Sequence, residues 1–126
     1  TGIKCVKKID ESLPYYTLRP EVRKNLFLAV KEAFHNIQKH SAASLVTFEL
    51  FVQDNILNIS IKDNGVGIDE EKIQDSSIGL KSMKKRMDSI QGNIVIVSDK
   101  AIGTDVILRF NLTETNSGEK VPQKGV

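Results

Sequence analysis

The chain has 126 residues, of which 40% are apolar and 27% charged, the balance of one soluble domain with a core of its own. A net charge of +2 without a block of like charges gives no case for nucleic acid or for a membrane surface, and no apolar run approaches the roughly 18 residues of a membrane span. Cys5 is alone, which removes disulfide frameworks and thiolate metal clusters and suits a reduced, intracellular setting. Thr1 stands where a start methionine would, so the chain reads as a piece of something longer.

Residues 3–9 read as a short strand, at a sheet edge given their three lysines. Pro14-Tyr15-Tyr16 is a connector. Pro20 suits the first turn of a helix, where its missing N–H leaves nothing unpaired, and Glu21 favours the same end. The helix is expected to run to about His40, with Val22, Leu26, Ala29, Val30, Ala33 and Ile37 as its buried stripe. Beside that stripe Glu32, Asn36 and His40 recur four apart, with Lys39 three beyond Asn36, and make one polar column.

Alternation of apolar residues predicts a strand over 45–52, and Asp54-Asn55 turns the chain into a second strand over 56–62. That strand delivers Asp63-Asn64-Gly65-Val66-Gly67 to its own end, where two glycines permit close approach to the backbone. Asp69-Glu70-Glu71-Lys72 begins a short helix, and residues 74–79 form a mobile loop. Residues 80–91 are helical with Leu80, Met83, Met87 and Ile90 on one face, and Gly92 is the expected stop. Residues 94–98 and 104–112 alternate around a turn at Gly103. From Thr113 periodicity is lost, and a disordered tail is expected over 113–126. Hairpins with helices on one face predict an α+β, two-layer α/β sandwich: a mixed, mostly antiparallel sheet in a single domain over 1–112.

Several chemistries drop out. The chain has no Gly-x-x-x-x-Gly-Lys-Ser/Thr loop, and Gly65-x-Gly67 lacks the third glycine of a dinucleotide fingerprint. Residues 63–71 lack calcium-loop spacing, and neither histidine has a Ser or Cys nucleophile to serve. What remains is the polar column and glycine turns at Gly65-Val66-Gly67, Gly79-Leu80 and Gly103-Thr104. Asn36 offers a neutral oxygen for magnesium that also takes phosphate oxygens. Gly79 opens a helix whose free N–H groups suit an anion. Asp63 can accept a hydrogen bond from the exocyclic amine of adenine, where guanine would present an oxygen. These parts together suit an adenine nucleotide with magnesium.

Glu32-x-x-x-Asn36-x-x-Lys39-His40, Asp63-x-Gly65-x-Gly67, Gly79-Leu80-x-x-Met83-x-x-Arg86 and Gly103-Thr104 together resemble the ATP-binding domain of bacterial sensor histidine kinases. The wider group, with its Bergerat fold, includes gyrase, the Hsp90 chaperones and the MutL repair proteins. The continuation through Met83 and Arg86 is most similar to the nitrate-sensor and DesK-like branch.

The resemblance implies that ATP and Mg2+ are bound, with Asn36 as metal ligand, Asp63 on the adenine amine, Gly65 and Gly67 lining the base pocket, and Thr104 supporting adenine. It implies Lys39 and His40 on phosphates, a lid over residues 70–80 with Gly79 and Leu80 at its end, and Glu32 as the catalytic carboxylate. In the lid, Ser77-Ile78-Gly79-Leu80 departs from the usual Gly-x-Gly-Leu. The implied partners are the protein's own helical dimerisation and phosphoacceptor domain, absent from this chain, and a response regulator. The implied whole is a homodimer, with this domain cytoplasmic in a sensor that can be membrane-anchored. The readings left open beside it are a protein serine kinase of the anti-sigma-factor type and a module that binds nucleotide without catalysis.

Overall fold

A computed structural model describes residues 2–10, 18–67 and 80–112, with His40 and Ser41 through their backbone alone. Along them run β1 (Lys4–Ile9), α1 (Pro20–Asn36), β2 (Leu45–Gln53), β3 (Ile56–Asp63), α2 (Leu80–Ser89), β4 (Asn93–Asp99) and β5 (Gly103–Asn111). The connector at 14–16, the short helix and loop expected within 69–79, and the tail from Thr113 lie outside the described residues. No helix among the described residues is long and apolar enough to cross a membrane.

The strands form one sheet in the order β1-β2-β3-β5-β4. Among the described strands only the β1–β2 pair is parallel, and β1 stands at the edge that its lysines suggested. Asp54 and Asn55 take φ angles of 53° and 63°, the left-handed pair that a tight hairpin needs to follow strand twist.

Alternation decides which side chains share a face. Val46, Phe48, Leu50 and Val52 of β2 line up in register with Asp63, Ile61, Ile59 and Leu57 of β3. Those residues in turn oppose Thr104, Val106, Leu108 and Phe110 of β5. Ile61, Leu108 and Phe110 are almost wholly buried, and Ile94 and Ile96 of β4 pack against the same core.

The helices cover this face. Val22, Leu26, Ala29 and Ala33 of α1 are buried, as the stripe predicted, while Val30 is half-buried at its margin. Phe34 meets Phe48 of β2 with ring centroids 6.1 Å apart. Leu80, Met83 and Met87 of α2 complete the core, and α1 packs against α2. Each such large apolar side chain contributes roughly 1.5–3 kcal/mol when buried, which ties both helices to the sheet.

Both helix ends differ from the sequence expectation. The long helix is α-helical only to Asn36 and continues as a wider π turn over Ile37–Ser41, closed by Ala42 at φ 53°. Lys39 and His40 therefore leave the four-residue repeat that aligned them with Glu32 and Asn36. At the end of α2 the left-handed residue is Gln91 (φ 61°), not Gly92. Its N–H donates to the Asp88 carbonyl at 3.0 Å and that of Gly92 to Met87 at 2.7 Å, a Schellman closure. Gly92 meets a limit of space: a Cβ there would lie 2.7 Å from the Met87 methyl and 3.0 Å from the Arg109 carbonyl oxygen.

Candidate functional site

The period that turns Leu57, Ile59 and Ile61 inward also carries Asp63 to the inner face, where it ends β3 as a residue only 4% exposed. In one row across the sheet lie Val46, Asp63, Thr104 and Ser98. An apolar surface thus becomes polar at a single edge. Gly65 N–H donates to Asp63 Oδ1 at 2.8 Å, and the Thr104 backbone N–H also donates to this carboxylate. Loss of water raises the Asp63 pKa above its ordinary value; the two backbone donors oppose the rise and the nearby Asp105 charge adds to it. A carboxylate can accept about four hydrogen bonds. Two backbone donors leave it able to take an amine from a ligand.

Thr104 is buried beside it, its hydroxyl 2.9 Å from that of Ser98. Glycines bring these strands close. A Cβ on Gly103, whose φ is 126°, would collide with the Asp63 carbonyl oxygen. At Gly67 (φ 75°) it would stand 2.7 Å from the Asp99 carbonyl oxygen. Gly67 therefore serves the packing of its loop against the β4–β5 turn.

Asn64 anchors the same loop. Its Oδ1 accepts the N–H groups of Ser44 and Leu45, each at 3.0 Å, and its Nδ2 donates to Ser44 Oγ at 3.0 Å. The loop's start is thus tied to the entry of β2. Sequence reasoning assigned roles to neither Asn64 nor Ser98. The signal for Ser98 is its place in the Ile94, Ile96, Ser98 alternation; for Asn64 it is the Asp63-Asn64-Gly65 sequence after a strand, where an Asn side chain bonds nearby backbone.

On α1, Glu32 and Asn36 are half-buried and Lys39 is exposed. Glu32 lines a groove of about 470 Å³ with Lys31, His35 and Gln38, facing Arg86 of α2. Leu80 is the first residue of α2 and is buried in the core, so its side chain holds the helix start in place. Gly65 sits against Asp63 through its N–H and Gly67 against Asp99 at the β4–β5 turn, while the backbone of His40 lies in the π turn and Gly79 lies outside the described residues. No cluster of three or more His, Cys, Asp or Glu side chains that could hold a metal exists among the described residues. A magnesium carried by phosphates would need little more than the Asn36 oxygen from the protein.

A sheet covered on one face by two helices, with a buried acid at the end of its middle strand, defines a two-layer α/β sandwich with one polar edge. Residues 21–114 match the family described as histidine kinase-, DNA gyrase B- and HSP90-like ATPases, and the chain belongs to that family of ATP-binding domains.

Among its relatives, Sensor histidine kinase LiaS of Bacillus subtilis (strain 168) is 35% identical over 98 residues, covering 78% of this chain and 27% of that protein. The signal transduction histidine-protein kinase/phosphatase DegS of Brevibacillus brevis is 36% identical over 88 residues, covering 70% of this chain and 23% of that protein. The chain therefore spans about a quarter of the length of these two. In solved structures, the histidine kinase domain of the Erythrobacter litoralis EL346 blue-light activated histidine kinase superposes with a TM-score of 0.76. It is 18% identical and covers 91% of this chain and 54% of that one. This likeness carries the fold, which is the sandwich expected from the sequence.

Proposed function

We propose that this chain is the ATP- and Mg2+-binding catalytic domain of a two-component sensor histidine kinase, extending over residues 1–112. In this reading it presents the γ-phosphoryl group of ATP to a histidine on a separate helical dimerisation domain, from which an aspartate of a response regulator receives it. The full-length protein is then a homodimer with this domain in the cytoplasm. The observation that carries the reading is Asp63, a residue 4% exposed whose carboxylate is held by two backbone N–H donors at the end of β3. A carboxylate is not left at such a place without a partner to offset its desolvation, and an adenine amine supplies one.

The chain's own residues have limited chemical duties in such a transfer, which depends on positioning and charge stabilisation. Asp63, with Thr104 beside it, selects and orients the base. Gly65 would let the base lie against the loop, and Gly67, by packing that loop on the β4–β5 turn, would shape the pocket from behind. Asn36 would hold magnesium, and the ion would neutralise phosphate charge. Lys39, His40 and the backbone at Gly79-Leu80 would meet phosphates. Glu32, four residues before Asn36, would accept the proton of the attacking group or orient it.

Calorimetry with ATP and magnesium is the first test. Binding is expected at micromolar to millimolar strength, on the order of 4 to 8 kcal/mol, with GTP much weaker. The chain alone should form no phosphohistidine, and a helical segment bearing a histidine next to an acid, supplied in trans, should become labelled. Absence of any heat with ATP would end the reading, and labelling of a serine-bearing protein in place of that helix would reassign the acceptor.

A further inference from the structure

On the far side of α2 from α1's groove, a second depression of about 590 Å³ opens between α2 and β4. Its floor is Leu80, Ile94 and Ile96, and its rim is Lys81, Lys84, Lys85 and Asp88. β4 is the edge strand of the sheet, and among the described strands it pairs with β5 alone. The three lysines are exposed and lie at helical spacing on one face of α2. Lys84 is paired with Asp88 at 3.0 Å. Three lysines against one aspartate leave two positive charges in excess, as many as the formal net charge of the whole chain.

An apolar floor inside a basic rim selects a ligand that is apolar along one side and acidic along the other. A nucleic-acid backbone offers the charge without the apolar side chains. We propose that the groove between α2 and β4 docks an acidic amphipathic segment of a partner protein, with apolar side chains on Ile94 and Ile96 and carboxylates on Lys81 and Lys85. This surface adjoins the proposed nucleotide site at Leu80, whose backbone that reading turns to phosphates, but its contacts at Ile94, Ile96, Lys81 and Lys85 do not depend on it.

The probe is a labelled synthetic peptide helix with leucines along one side and glutamates along the other, titrated into the 126-residue chain by fluorescence anisotropy. Binding should weaken by about tenfold in the Lys81→Glu/Lys85→Glu variant, which leaves the Lys84–Asp88 pair intact. It should weaken with added salt and when the peptide's leucines become serines. The amide signals of Ile94 and Ile96 should shift on titration, and saturating ATP should leave the peptide's affinity unchanged. The proposal is overturned if a scrambled peptide of the same composition or an oligothymidylate binds as well. It is also overturned if the double variant binds like the wild type. Displacement by ATP would assign the lysines to phosphates instead and overturn it too.

Discussion

Replacing Asp63 with Asn sets two effects in opposite directions. In the empty protein, the amide that takes the carboxylate's place still offers an oxygen to the Gly65 N–H, which lies 2.8 Å from Asp63 Oδ1 in the wild type. Burial raises the carboxyl pKa in the folded state. The stability linked to this group is therefore fully present below its unfolded pKa and is lost as pH rises through the folded one. At a pH above that folded pKa the ionised Asp63 opposes the nucleotide-free fold, and Asp63→Asn should melt no lower than the wild type there. Nucleotide binding should move the other way. The charged acceptor for the adenine amine disappears, and a hydrogen bond to a charged group contributes about 1.5–3 kcal/mol. The dissociation constant for ATP should thus rise by roughly ten- to 150-fold. Calorimetry with ATP and magnesium, paired with a thermal melt at the same pH, reads both quantities. Equal ATP affinity in the two proteins would refute the assignment of Asp63. A melting point several degrees lower would show that the carboxylate holds the fold together, and the reasoning from burial would fail.

Three further outcomes are expected. Wild-type affinity for ATP should fall, relative to that of Asp63→Asn, as pH drops through the raised Asp63 pKa, in a window above the usual aspartate range; parallel pH profiles would count against it. Gly103→Ala brings a methyl group against the Asp63 carbonyl oxygen at φ 126°. Backbone strain and overpacking together should lower stability by about 2–5 kcal/mol, measured by urea denaturation. Asn64→Ala removes the bonds to Ser44 and Leu45. It should lower stability by roughly 1–2 kcal/mol and weaken ATP binding, because the loop that carries Asp63 loses its tie; unchanged hydrogen exchange at Leu45 and Gly65 would argue against that link.

Local pattern was enough for the elements. Two-residue alternation located the strands of both hairpins, and the stripe through Val22, Leu26, Ala29 and Ala33 located the core face of α1. The same alternation put Asp63 on the buried face, because a side chain's face in a strand depends on parity alone. Pro20 and the Asp54-Asn55 turn act through backbone angles that neighbouring residues determine, so these too were legible.

Packing between distant segments decided the rest. Gly92 is required by the room left by Met87 and Arg109 while Gln91 takes the left-handed angle, and no local rule contains Arg109. The π turn at Ile37–Ser41 shifts Lys39 and His40 off a column that ideal helical spacing had drawn. Strand order, the Ser98–Thr104 contact and the hold of Asn64 on Ser44 join residues that no helical or strand period links. A sequence specifies which side of its own strand or helix each residue occupies. Which other residue waits on that side is settled only when the sheet and its helices exclude water together.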